Sequence, residues 1–242
     1  SLPYFIPIPF ALGTLGAIIR MDSSIEKRDK LIDVGAAGPL AGLLVAVPLL
    51  LVGLSRSPVV ATAIGPNDLV LVEGNSVLYI ALKWMVTGHY LPANGLDVEL
   101  GPMAMAAWVG LLLTFINLLP IGQLDGGHVA QAFFGNEHEK RAPWLHRGLL
   151  LVGVTVFAVL GYQAWRVGRT LASAATYGAQ SALPWGMWAL ILLGMRRLTK
   201  GTYHPPVGDE PLSPSRRALF WLVAVIFVLL FTPVPFREAL AP

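Results

Sequence analysis

Asn117, Asp125 and His128 fall within NLLPIGQLDGGHVAQAFFG, residues 117–135, at the end of a long and mostly apolar run. A carboxylate set there either serves a functional site or caps a short helix, GGHVAQAFFG, by accepting from its first backbone N–H groups. The residues around it favour an opening in the chain. Pro120 has no N–H and its ring collides with the carbonyl of Ile116, so a continuous helix is interrupted there, and Gly122, Gly126 and Gly127 relax the backbone further. Broken helix at membrane depth persists only where protein or water covers it, and an ionisable residue in such a break is a functional candidate by default. His128 lies one helical turn after Asp125, placed to support that carboxylate, to replace it as a ligand, or simply to pack.

The remainder of the chain says what holds this stretch. Of its 242 residues 55% are hydrophobic and 13% charged, against about 25% charged in soluble proteins, which predicts an α-helical polytopic membrane protein. Runs long enough for a bilayer of about 30 Å cover 31–54, 102–121, 144–165 and 218–232, and a shorter one covers 183–195. The last two need help, 183–195 from TLASAATYGAQSA ahead of it. About five transmembrane helices are therefore expected. Residues 69–87, interrupted by Glu73, Asn75, Ser76 and Lys83, read as an amphipathic or partly re-entrant helix outside the lipid. With 31–54 starting on the cytoplasmic side, twelve of the 17 Lys and Arg residues fall in cytoplasmic segments, which leaves 55–100 extracytoplasmic.

The net charge of +3 follows from these short basic segments, so no nucleic-acid partner is expected. The absence of cysteine excludes a disulfide framework, a Cys-ligated zinc site and a thiol nucleophile. SLPYFIPIPFALGTLGAII carries neither a basic n-region nor a cleavage pattern and so is no signal peptide. Its Gly13 and Gly16, three apart, with β-branched Thr14, Ile18 and Ile19, predict a short β-hairpin over 1–21, the other reading being an apolar loop packed on the helices. A free strand edge there is suited to pairing with an unwound peptide. Gly35, Gly38 and Gly42 in GAAGPLAG predict close helix packing, Asp33 a helix N-terminal cap, and Trp144, Trp165, Trp185 and Trp221 an interfacial belt. HPPVGDEPLSPSRR, residues 204–217, reads as a Pro-rich polar cytoplasmic loop.

NLLPIGQLDGGH resembles the Asn-Pro-x-Pro and LDG region of the site-2 protease family of intramembrane zinc metalloproteases. SLPYFIPIPFALGTLGAII, DVGAAGPLAG, HPPVGDEPLSPSRR and FTPVPF resemble the branch that includes plastid homologues. The resemblance covers most of the chain, with Leu118 standing where the family's first proline falls. It implies zinc as cofactor with Asp125 as a ligand, Asn117 as an amide donor near the scissile peptide, and substrate contacts at Gly13, Thr14, Leu15 and Gly16. It also implies the cleavage of transmembrane helices of membrane-tethered proteins within the lipid bilayer.

That family also needs HExxH, two His at i and i+4 with a Glu between. Among His89, His128, His138, His146 and His204 only His138 precedes a Glu, in HEKRA, where Ala142 takes the second-ligand place. HEKRA itself is expected to be solvated loop. In relatives the HExxH helix precedes the hairpin, so a chain shown without its first helix is expected, and 242 residues alone would not hydrolyse peptides this way. The other readings are a proteolytically inactive homologue that binds transmembrane helices and, more weakly, a transporter with its site at the broken helix. Composition suits a bacterial inner membrane.

Overall fold

A computed structural model describes residues 3–5, 9–10, 13–14, 17–19, 25, 27–61, 71–199 and 201–238. Four short strands come first: β1 (Pro3–Phe5), β2 (Pro9–Phe10), β3 (Gly13–Thr14) and β4 (Ala17–Ile19). β1 pairs antiparallel with β4, and β2 with β3.

Helix α1 (Arg28–Ser55) continues through Pro39 and Pro48. β5 (Val59–Ala61), β6 (Leu71–Glu73), α2 (Val77–Thr87) and β7 (Leu96–Val98) follow, then α3 (Pro102–Asn117), α4 (Asp125–Phe134), α5 (Glu137–Arg166), α6 (Leu171–Leu198), α7 (Pro214–Leu230) and β8 (Phe236–Glu238). The protein is mostly helical. By length and apolar composition α1 and α5 are the two helices among the described residues able to cross a membrane. The run 102–121 is helical only to Asn117, giving 16 residues. α6 does take in the small-residue segment before Leu183 and reaches 28 residues.

α1 is the central packing element, and glycine is the reason. A β-carbon on Gly53 would stand 2.6 Å from the backbone nitrogen of Ala104, and one on Gly42 would stand 3.3 Å from the Thr114 hydroxyl. Small residues therefore bring α1 against α3, and farther up against α4, as GAAGPLAG predicts.

Residues 71–98 hold a buried charge set where sequence shows only polar interruptions. Ser76 caps α2 by accepting from the Tyr79 N–H. One turn on, Lys83 is 0% exposed, 3.1 Å from Asp97 on β7 and 3.8 Å from Glu73 on β6, and the Tyr79 hydroxyl donates to Glu73. β6 also pairs with β8, which ties this region to the last strand.

Three expectations change. Asp33 lies inside α1 and pairs with Arg216 through two bonds of 3.1 and 2.9 Å, so it caps nothing. Trp185 is buried and donates to the Pro233 carbonyl at 2.7 Å, whereas Trp144, Trp165 and Trp221 are exposed as a lipid-facing belt would be. HEKRA forms the first turns of α5, with His138 1% exposed and Ala142 buried; the apolar run beyond it turns those residues inward.

Candidate functional site

The break opens sooner than proline requires. α3 stops at Asn117, the Leu119 N–H turns back to the Ile116 carbonyl at 3.1 Å, and the Ile121 N–H reaches the Leu119 carbonyl at 2.8 Å. Pro120 thus sits in an already tightened turn, and the carbonyl it would have offended is satisfied from Leu119. Gly122 completes the reversal with φ +65°, which a β-carbon would strain.

α4 then starts at Asp125, with extended Leu124 in the N-cap place and no side-chain cap. The carboxylate belongs to the first helical turn, so it faces the positive end of α4 without capping it. Gly126 and Gly127 are there for room more than for slack. A β-carbon on Gly126 would overlap the Leu118 carbonyl, and one on Gly127 the Gly122 carbonyl.

Asp125 is half-buried and has no hydrogen bond or ion pair among the described residues. Its neighbour is α1: a β-carbon on Gly38 would stand 3.3 Å from Oδ2, and one on Gly35 would stand 2.7 Å from the Asp125 carbonyl oxygen and 3.0 Å from the His128 β-carbon. Asn117, the last residue of α3, is exposed and likewise unbonded among the described residues. Gly13 and Thr14 form β3, whereas Leu15 and Gly16 lie outside the described residues.

Four residues that sequence reasoning left aside hold this corner. His204 places Nε2 2.7 Å from Nδ1 of buried His128, and the backbone N–H groups of Tyr203 and His204 donate to the Glu139 carboxylate at 2.9 to 3.1 Å. Asn136 exchanges two 3.0 Å hydrogen bonds with the Val207 backbone. Arg28 donates to the Ala132 and Phe133 carbonyls at 2.7 and 2.6 Å and to Glu210 at 3.2 Å, which serves the negative end of α4. The segment 203–213 is therefore a strap lying on α4 and α5, and not the plain polar loop its composition suggests. Its one local signal is a histidine followed by two prolines.

Whether these residues suit a zinc ion can be decided from their donors. A catalytic zinc takes three protein ligands and keeps one position open. Among the described residues no group of three His, Cys, Asp or Glu side chains is placed to hold a metal, and His128 spends one ring nitrogen on His204. Asp125 offers a single carboxylate donor; the described residues do not by themselves make a zinc site.

The chain is mostly helical and carries a carboxylate in a broken apolar segment, and comparison with known proteins supplies the family. Residues 2–161 match the model for peptidase family M50, and the chain belongs to that family, the site-2 proteases. Over its whole length it is 31% identical to a protein named probable zinc metalloprotease EGY1, chloroplastic, from Oryza sativa subsp. japonica, of which it covers 36%. It is also 31% identical to the protein of the same name from Arabidopsis thaliana, over 97% of this chain and 38% of that one. With probable zinc metalloprotease EGY2, chloroplastic, from Oryza sativa subsp. indica, it shares 36% identity over 62% of the chain and 27% of the relative. The chain thus spans under two fifths of the length of these curated relatives. No solved structure matches it.

Proposed function

We propose that the chain is the membrane core of a zinc-dependent intramembrane endopeptidase that cleaves transmembrane helices of membrane-tethered proteins. The observation that carries the reading is the break between Asn117 and Asp125, where a carboxylate beside Gly38 has no protein partner among the described residues. A carboxylate left so is suited to a ligand, since burying it even in part costs free energy that a partner must offset. In this reading Asp125 gives one zinc ligand, and HExxH from a segment ahead of Ser1 gives the others. Asn117 acts as an uncharged donor to the peptide oxygen, which adds no second charge to an apolar site. In the same reading the segment carrying β1 to β4 acts as a membrane-associated hairpin whose edge pairs with the unwound substrate, with substrate contacts assigned to Gly13, Thr14, Leu15 and Gly16.

Membership of the M50 family and the relatives' names support a metalloprotease, and the two long apolar helices, α1 and α5, support a membrane location. The relatives' names say chloroplastic, so the bacterial inner membrane expected from composition finds no support among them.

The test is metal analysis of the full-length protein with and without Asp125→Ala, alongside cleavage of a membrane-embedded substrate. Loss of both zinc and cleavage is expected. Zinc retained at the same stoichiometry removes Asp125 from the ligand set. The rival reading is a homologue that binds transmembrane helices without cutting them. A full-length protein that captures a transmembrane helix yet neither holds zinc nor cleaves it would establish that rival.

A further inference from the structure

The tautomers of two histidines follow from one carbonyl. The Pro205 oxygen only accepts, so the His204 Nδ1 2.7 Å from it carries a hydrogen. Burial lowers the His204 pKa, against the Pro205 carbonyl and Glu139 that raise it, and so favours the neutral ring, whose Nε2 is unprotonated. Nε2 can then only accept, and Nδ1 of His128, 2.7 Å away, must donate. A neutral His128 with its proton on Nδ1 has a lone pair on Nε2. That is the reverse of the tautomer a free imidazole prefers in water.

Both rings are held tightly enough for this to be a fixed state. They meet edge to face with centroids 4.9 Å apart, 7% and 5% exposed. The backbone of His204 is pinned by Glu139 from α5, and the strap beyond it by Asn136. His128 sits one turn along α4 from Asp125, and both residues lie against Gly35 of α1.

We propose that His204 is a positioning residue: by accepting from Nδ1 of His128 it fixes the tautomer and orientation of that ring, and leaves Nε2 as an uncharged hydrogen-bond acceptor on a ring one helical turn from Asp125. The matching donor is an N–H or O–H group, and an unwound peptide offers a backbone N–H at each residue other than proline. The use made of the acceptor rests on the peptidase reading above; the tautomer does not.

The experiment is long-range proton–nitrogen correlation NMR of the full-length protein, labelled with ¹⁵N-histidine in lipid nanodiscs. The His128 ring is assigned by the signal lost in His128→Asn. The wild type is expected to show His128 protonated at Nδ1, His204→Leu to move the proton to Nε2, and His204→Gln, whose amide oxygen also accepts, to restore Nδ1. An Nε2–H tautomer in the wild type, or no change in His204→Leu, overturns the proposal whatever the protein cleaves. In the peptidase assay His204→Leu should lower kcat on the order of tenfold, with His204→Gln recovering most of it. A shifted tautomer with unchanged kcat overturns the positioning role. A wild type with the expected tautomer that cleaves nothing overturns the peptidase reading alone.

Discussion

Gly38 of α1 lies against the carboxylate of Asp125, and Gly35, three residues earlier, lies against its backbone, where a β-carbon would stand 2.7 Å from the carbonyl oxygen. The Gly35 contact cannot relax by swinging a flexible side chain, because the opposing atom is main chain. Gly35→Ala must therefore push α1 from α4 and should destabilise the protein by about 1–3 kcal/mol. Gly148→Ala in α5 and Gly186→Ala in α6 meet nothing within 4 Å and should be neutral or stabilising by about 0.5–1 kcal/mol through helix propensity. Thermal unfolding midpoints in one detergent would compare the three. Equal midpoints would mean that α1 and α4 are not in register as described.

That contrast also marks what the sequence can show. The spacing of Gly35, Gly38 and Gly42 announces a close helix neighbour but not which one, and α3 and α4 turn out to share it. The break after Asn117 is legible because Pro120 and the glycines act locally. Lys83 reads as an interruption of an apolar run until β6 and β7 bring Glu73 and Asp97 to it. His204 meets His128 across 76 positions, a pairing that no local pattern encodes. Trp185 went astray for the same reason: its indole acceptor is the Pro233 carbonyl, far along the chain.

Glu73 gives a pH dependence whose sign can be worked out. Burial, the largest effect, raises its carboxyl pKa above the ordinary 4.5, against Lys83 and Tyr79, which lower it, while Asp97 adds to the rise. A carboxyl with a higher pKa folded than unfolded binds its proton more readily in the folded protein. Its contribution to stability is therefore greatest below the ordinary value and declines as pH rises towards the folded one. Acidifying from neutral pH should favour the fold through this group, and Glu73→Gln should flatten that part of the stability profile. An unchanged profile in Glu73→Gln, followed by thermal unfolding across pH, would mean that the slope arises elsewhere.

Glu139 is the anchor of the strap, since its carboxylate takes the N–H groups of both Tyr203 and His204. Hydrogen bonds to a charged acceptor contribute about 1.5–3 kcal/mol each, so Glu139→Ala should release the strap well before the protein unfolds. Limited proteolysis with a broad-specificity protease would read this as faster cutting within 203–213. Glu137→Ala, two residues earlier and paired among the described residues only with exposed Lys140, should leave the cutting rate unchanged. Equal rates in the two variants would remove Glu139 as the anchor.

Asn117 allows catalysis to be separated from folding. It ends α3 with an exposed side chain and makes no hydrogen bond among the described residues, so Asn117→Ala should change stability by less than about 0.5 kcal/mol. If its amide stabilises the developing oxyanion, removing that donor should cut kcat by about 10²- to 10³-fold with little effect on KM, because the bond is made in the transition state. Asn117→Asp tests the same point by charge: it keeps the shape but offers an acceptor to an oxygen that is gaining negative charge, and should do no better than alanine. Full-length variants with wild-type unfolding midpoints and the expected loss of kcat would assign the amide to the reaction. A fall in midpoint with kcat intact would make Asn117 a helix terminus and nothing more.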